Sequence, residues 1–323
     1  PTATAVSTPA PAFQAPEPDY LGLSEEEFQN FCAIFYYFAN IKTIYDALPP
    51  ELYDFNYSTA RNFPEILSRM RDFYTDTTAQ AFKSANTSSN LKDLYSAVDT
   101  AATCTKDMLS AARTYLKNIG QWNEAAVARA RKEYEPVCEK THTAMQQVYT
   151  ELQKFNIYLN ASLPLTQAQR EEKRQALSSP DQSLLSAGAN SCLALPKAQS
   201  NLDFITISAI EMANANLENA AKQTWVVPEL KKFRQTLSSS SSYRDFQLHY
   251  GNTSLILLRN VLQNAWTAEL DAVTQWITLY EKAAVKSYVG AYDAQMEALV
   301  LERQSATYVD IAKDLLRAYG YMF

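Results

Sequence analysis

Six glycines in a chain of 323 residues set the tightest limit on what this sequence can build. Strand-rich folds turn often, and their tight turns draw heavily on glycine at positive φ. The 13 prolines do not make up the shortage. Between these sparse breaks lie long stretches of Ala, Leu, Gln, Glu and Lys, residues that favour helix. The fold class that follows is all-α, an elongated antiparallel bundle of about six to seven helices behind a disordered N-terminal arm.

The arm is residues 1–19, PTATAVSTPAPAFQAPEPD, rich in Pro, Ala and Thr and without apolar periodicity. Such side chains bury too little to offset the entropy of ordering them. The chain opens on Pro1 rather than Met, which predicts that an upstream segment has been removed or trimmed. Residues 20–237 are expected to form the main bundle, with long C-terminal helices at 243–323 packing on it.

The first helix is marked by LSEEEF, where Ser24 and Glu27 form a capping box and Leu23 with Phe28 a hydrophobic staple. Phe28, Phe31, Phe35, Phe38, Ile41, Tyr45 and Leu48 then recur at steps of three and four, until Pro49 and Pro50 stop the run. A second helix is predicted to open at Pro64 and a third near Leu91, ending at Gly120. A fourth follows Asn123, with a kink or short break at Pro136. TQAQ at 166–169 reads as another capping box, and Pro180 and Gly188 delimit a short helix. Pro196 precedes a long one, Trp225-Val226-Val227 reads as a buried extended connection before Pro228, and Ser238 to Ser242 reads as a linker. From Leu255 to Ala284 a stripe averages about 3.6 residues per step, the ordinary α period rather than the 3.5 of a sustained coiled coil. Gly290 is the weak point of that last segment, and AYGYMF at 318–323 lies beyond it, needing a place to dock.

Gly120 falls almost midway between Cys104 and Cys138. If it reverses the chain, the two cysteines stand at heights of about 24 and 27 Å on adjacent antiparallel helices, at about 1.5 Å per residue. The geometry predicts a Cys104–Cys138 disulfide, which leaves Cys32 to pair with Cys192. Four cysteines allow three connectivities, and buried free thiols or a zinc site are the alternatives; absence of CxxC and the presence of only His142 and His249 weaken the last.

The acceptor pattern N-x-[ST] occurs at Asn56, Asn86, Asn160 and Asn252, all in segments read as loops or helix ends. With paired cysteines and a processed start, these positions predict a secreted glycoprotein with its signal peptide removed.

A net charge of -6 gives no electrostatic footprint for a polyanion, so nucleic acid is not an expected partner. No run approaches the roughly eighteen apolar residues of a membrane span. No nucleophile elbow, phosphate-cradling loop or H-E-x-x-H pair is present. His142 and His249 are the only histidines and lack convergent partners in the sequence, and acidic neighbours such as Glu133 and Glu135 read as solvated helix faces. No enzymatic activity, cofactor or metal is expected. The function expected is non-enzymatic: binding, interaction or structural work through the surface, with another protein or a second copy as partner. The alternative is an extracellular carrier holding an apolar ligand such as lipid between amphipathic helices.

Overall fold

A computed structural model describes residues 17–48, 68, 70, 78–85, 88–120, 124–212, 219 and 222–323. All regular structure among them is helical. Nine helices are bounded: α1 (Glu25–Ala47), α2 (Lys92–Gly120), α3 (Glu124–Gln153), α4 (Gln167–Gln175), α5 (Ser179–Met212), α6 (Val226–Ser238), α7 (Ser241–His249), α8 (Ile256–Ala284) and α9 (Tyr288–Arg317). Residues 78–84 are helical as well, so the count exceeds the six or seven expected. The arm up to residue 16, the predicted start of a helix at Pro64 and the asparagines Asn56 and Asn86 lie outside the described residues.

Both capping boxes form. The Ser24 hydroxyl accepts from the Glu27 amide and the Glu27 carboxylate from the Ser24 amide, and Thr166 and Gln169 repeat the exchange at α4. The α1 stripe is broader than its spacing suggested: Ile34, Tyr37, Ala39, Ile44 and Asn40 are buried with the phenylalanines, because α1 is enclosed by other helices on several sides. Tyr37 stacks on Phe82 and Phe82 on Tyr95, with ring centroids 4.5 and 4.3 Å apart.

Two antiparallel hairpins, α2/α3 and α8/α9, supply the longest helix pairs. α5 packs on α7, α8 and α9, and α1 bridges α2 and α9. One continuous buried cluster links Phe31 and Phe35 of α1, Val98 of α2, Val148 of α3, Leu184 of α5, Trp266 of α8 and Ile311 of α9. A second, with Met108, Tyr115 and Tyr134, fills the hairpin tip of α2/α3.

Several expected breaks are absent, for a common reason. α3 runs unbroken through Pro136, and α5 is one helix of 34 residues that contains Gly188 and Pro196 rather than two helices. Both prolines sit on exposed faces, where water can take the carbonyl the ring leaves unbonded. Gly188 is a packing residue: a Cβ there would come within 2.9 Å of the Leu262 side chain and 3.6 Å of Leu316, so its small size lets α5 approach α8 and α9. Trp225-Val226-Val227 is not extended either. Trp225 is α-helical in φ and ψ and α6 begins at Val226, which puts Pro228 in the first turn, where a missing N–H costs nothing.

The serine run is not a linker. Ser238 ends α6, Ser239 caps it with its hydroxyl 2.7 Å from the Gln235 carbonyl, and Ser240 caps α7 by accepting from the Tyr243 amide. Serine terminates one helix and starts the next because its hydroxyl substitutes for the missing backbone partners at both ends. The last segment divides at Lys286, whose φ is +60°, not at Gly290, which lies in the first turn of α9. The C-terminal AYGYMF docks on α4: Gln167 donates to the Gly320 carbonyl at 2.8 Å, and Lys173 and Arg174 lie over the rings of Tyr319 and Tyr321.

Candidate functional site

None of the four cysteines is disulfide-bonded, so neither predicted bridge is formed. Residue Thr141, not Cys138, stands level with Cys104 across the α2/α3 hairpin, its hydroxyl 3.0 Å from the Cys104 carbonyl oxygen. One helix runs to Gly120 and the next starts at Glu124, so three further residues separate them. This carries Cys138 three residues, about 4.5 Å along the axis, out of register. Cys32 and Cys192 face different helices. Cys32 is close to Tyr36 and to Arg259 of α8, whereas the Cys192 sulfur lies 3.9 Å from the Val309 carbonyl of α9. Burial pushes the Cys32 thiol up to about 11 and the Cys192 thiol up to about 12. Both are therefore protonated and act as small hydrophobes, not nucleophiles.

The two described sequon asparagines are exposed. Asn160, at φ +50°, follows α3; its amide N–H donates to Asp314 at 2.9 Å, and its side chain lies 3.4 Å from the Tyr149 hydroxyl. Asn252 precedes α8, and the Thr253 and Ser254 that complete its motif are engaged inside the fold. His142 and His249 are not brought together. His142 Nδ1 lies 2.8 Å from the Tyr45 hydroxyl on α1, and His249 Nε2 lies 3.5 Å from Asp245 one turn back on α7. Among the described residues no three of His, Cys, Asp or Glu are placed to hold a metal ion, and no helix is long and apolar enough to cross a membrane.

Two buried acidic sites were not read from the sequence. The first is Asp181, 2% exposed in the first turn of α5. Its carboxylate accepts from the hydroxyls of Ser178 and Thr253 at 2.7 Å each, from the Ser254 amide at 2.7 Å and from the Ser254 hydroxyl at 2.9 Å. Burial works to raise its pKa, but these hydrogen bonds outweigh it and hold the carboxyl below its usual range. The knot fastens the loop before α8 to the start of α5.

The second is Glu269 of α8, fully buried, beside Glu302 of α9, also buried. Neither Glu269 carboxyl oxygen has a hydrogen-bond partner, and the nearby Ser305 hydroxyl is turned to the Ala265 carbonyl at 3.1 Å. Glu302 accepts from the Trp276 indole N–H at 2.6 Å. Burial, then the neighbouring Glu302, pushes Glu269 up to about 8; burial pushes Glu302 up to about 7 against the Trp276 hydrogen bond. Asp203 of α5 adds repulsion to both. Arg303 gives Glu302 a weak opposing influence. A pair of carboxylates can exchange protons with a substrate only where one can reach them, and these are sealed between helices. The signal for Glu269 is present in the spacing: it lies three residues after Trp266 and four before Val273, on the buried stripe, whereas its more apolar neighbour Leu270 is only partly buried.

The surface carries two further features. At one end of the molecule Trp225, Val285, Tyr288 and Val289 are exposed to 37%, 75%, 36% and 79%. They share that end because α6 runs antiparallel to α8, with Lys231 2.8 Å from Glu281 and Arg234 2.9 Å from Thr274. Trp225, about 9 Å before Lys231, is then level with the α8/α9 turn. At the other end a cleft of about 310 Å³ is lined by Phe155, Ile157, Leu257, Leu258 and Tyr319, with Asp19 and Lys173 on its wall.

By fold the described residues are all-helical. No family model, curated protein or solved structure matches it.

Proposed function

We propose that this chain works outside the cell as a non-enzymatic helical glycoprotein, recognising another protein or a second copy of itself through its surface. The observation that carries the reading is the exposure of Val285, Tyr288 and Val289 around the α8/α9 turn, with Trp225 exposed at the same end of the bundle. Isolated exposed apolar residues are ordinary, but several at one place, including a tryptophan and a tyrosine, are the composition of a recognition patch. The extracellular address rests on the exposed Asn160 and Asn252 and on the Pro/Thr-rich arm, since the thiols are unbridged. Mass measurement of the native protein before and after deglycosylation tests it, and an unshifted mass overturns the glycoprotein reading.

The interaction itself is tested by V285D/V289D, which places charge on two exposed positions. Light scattering and crosslinking in the native fluid should show an assembly with the wild-type chain that this variant loses. A wild-type chain that stays monomeric and uncrosslinked at all concentrations overturns the proposal.

The carrier reading is favoured by a separate observation, the cleft lined by Phe155, Ile157, Leu257 and Leu258. Without disulfide staples, nothing covalent resists separation of the helices around it. Organic extraction of native protein followed by mass spectrometry decides it: stoichiometric lipid supports a carrier, and none removes it.

A further inference from the structure

A second cleft, of about 340 Å³, opens between α1, α8 and α9, with Ala268 and Leu301, the chain neighbours of the buried Glu269 and Glu302, in its lining. Its volume is near the lower limit of ordinary ligand pockets, about 300–1,000 Å³. Three amides, Asn40, Asn264 and Gln304, and two tyrosines, Tyr36 and Tyr308, line it beside the apolar Ala268 and Leu301. Asn40 is buried and held in place, donating to Thr78 Oγ1 at 2.9 Å and accepting from the Gln304 amide at 3.3 Å. Tyr308 is buried too, its hydroxyl beside Asn264 and Gln304. The buried Tyr36 hydroxyl makes no hydrogen bond of ordinary geometry, although Asn260 and Cys32 are polar neighbours.

This set of groups discriminates between ligands. None of the lining residues is Lys, Arg or His, so an anion finds no counter-charge there. An aliphatic chain would meet Ala268 and Leu301 but strip water from the Asn264 and Gln304 amides without replacing its hydrogen bonds. Side-chain amides both donate and accept, as sugar hydroxyls do, and tyrosine offers a ring face for C–H groups with a hydroxyl at its edge. Asp271 is the one carboxylate in the lining and stands at its exposed rim.

We propose that this cleft binds a single neutral sugar ring, free or at the end of a glycan. The side chains are already oriented by their own hydrogen bonds, and the volume excludes a longer oligosaccharide from the cleft itself. Asn264 and Gln304 hydrogen-bond the hydroxyls while Tyr36 flanks the ring, and the buried Asn40 and Tyr308 hold Gln304 and Asn264 in place.

Saturation-transfer NMR on the full chain tests this with glucose, mannose and N-acetylglucosamine as free probes, a high-mannose oligosaccharide as the glycan probe, and putrescine and decanoate as controls. At least one carbohydrate should receive saturation, and which arm responds tells a free sugar from a glycan end. Thr267→Trp fills the cleft from an exposed rim position and should weaken that binding at least tenfold while leaving the thermal melt unchanged. Should that variant fold poorly, Asp271→Asn at the exposed rim keeps the question open to measurement: a neutral ligand retains binding within a few-fold, a cationic one loses it. No response from any carbohydrate, a response indifferent to Thr267→Trp, or putrescine binding in place of sugar overturns the proposal.

Discussion

Asp181 and the Glu269–Glu302 pair are both acidic groups taken out of water, and the fold treats them in opposite ways. Asp181 meets three hydroxyls and a backbone amide, so its charge is stabilised by donors and it stays ionised. Glu269 meets a second glutamate, and the one hydroxyl near it, that of Ser305, is turned to the Ala265 carbonyl, so burial and repulsion favour keeping its proton. Burial sets the cost of the charge; the neighbours decide whether the charge or the proton is kept. The difference follows from place. Asp181 lies at a helix N-terminus beside a loop of small hydroxyl residues, whereas Glu269 lies mid-helix, where backbone donors are already committed to the helix itself.

Replacing Asp181 with Ala should show the larger effect of this contrast. It strips four donors of their acceptor in a buried knot, and chemical denaturation should record a loss of about 3 kcal/mol. A loss under about 1 kcal/mol would mean that water replaces the carboxylate, and the knot would not be what holds the α8 entry loop.

The pair should respond with the reverse sign and with pH. Glutamates whose folded pKa values stand above the ordinary 4.5 bind protons that the unfolded chain releases. Their contribution is therefore full below about pH 4.5 and falls as pH rises towards 8. Asp181, with its lowered value, contributes evenly across that window and loses its contribution only in stronger acid. Glu269→Gln, which imitates the protonated form, should raise stability by about 2 kcal/mol at pH 8 and change it little at pH 5. Melting curves at the two pH values check this, and parallel curves for wild type and variant would break the comparison.

Trp276→Phe removes the indole N–H that Glu302 accepts. It should cost about 1.5 kcal/mol at neutral pH and make the decline towards pH 8 steeper, because Glu302 then resembles Glu269. Denaturation across the same pH range reads both effects. The smallest change expected is at Thr253, where Val keeps the shape and deletes one of Asp181's donors. A loss of about 1 kcal/mol, independent of pH from 5 to 8, would show that the remaining donors still keep the carboxylate ionised.

Legibility in the sequence followed the range of the interaction involved. Ser24 with Glu27 and Thr166 with Gln169 act within one turn, and both caps formed as read. The stop signals misled where they depend on surroundings: Pro136, Pro196 and Gly188 break helices in isolation but are absorbed on solvent faces or against Leu262. Cys104 and Cys138 failed for a related reason. Their register depended on how many residues the reversal consumes, and three residues were enough to place Thr141 opposite Cys104 instead. The cleft at Asn40, Asn264 and Gln304 gathers single polar residues from three helices, none forming a local pattern.

The amino-acid order alone determined that the chain is helical, where several helices start, and that its net charge is negative, because periodicity, capping and net charge are local or summed properties. The packed structure decided which acid keeps its charge, which cysteines stay apart and which polar side chains share a cleft. Those outcomes depend on neighbours tens to hundreds of residues away, and a buried group's state is set by what surrounds it rather than by what precedes it.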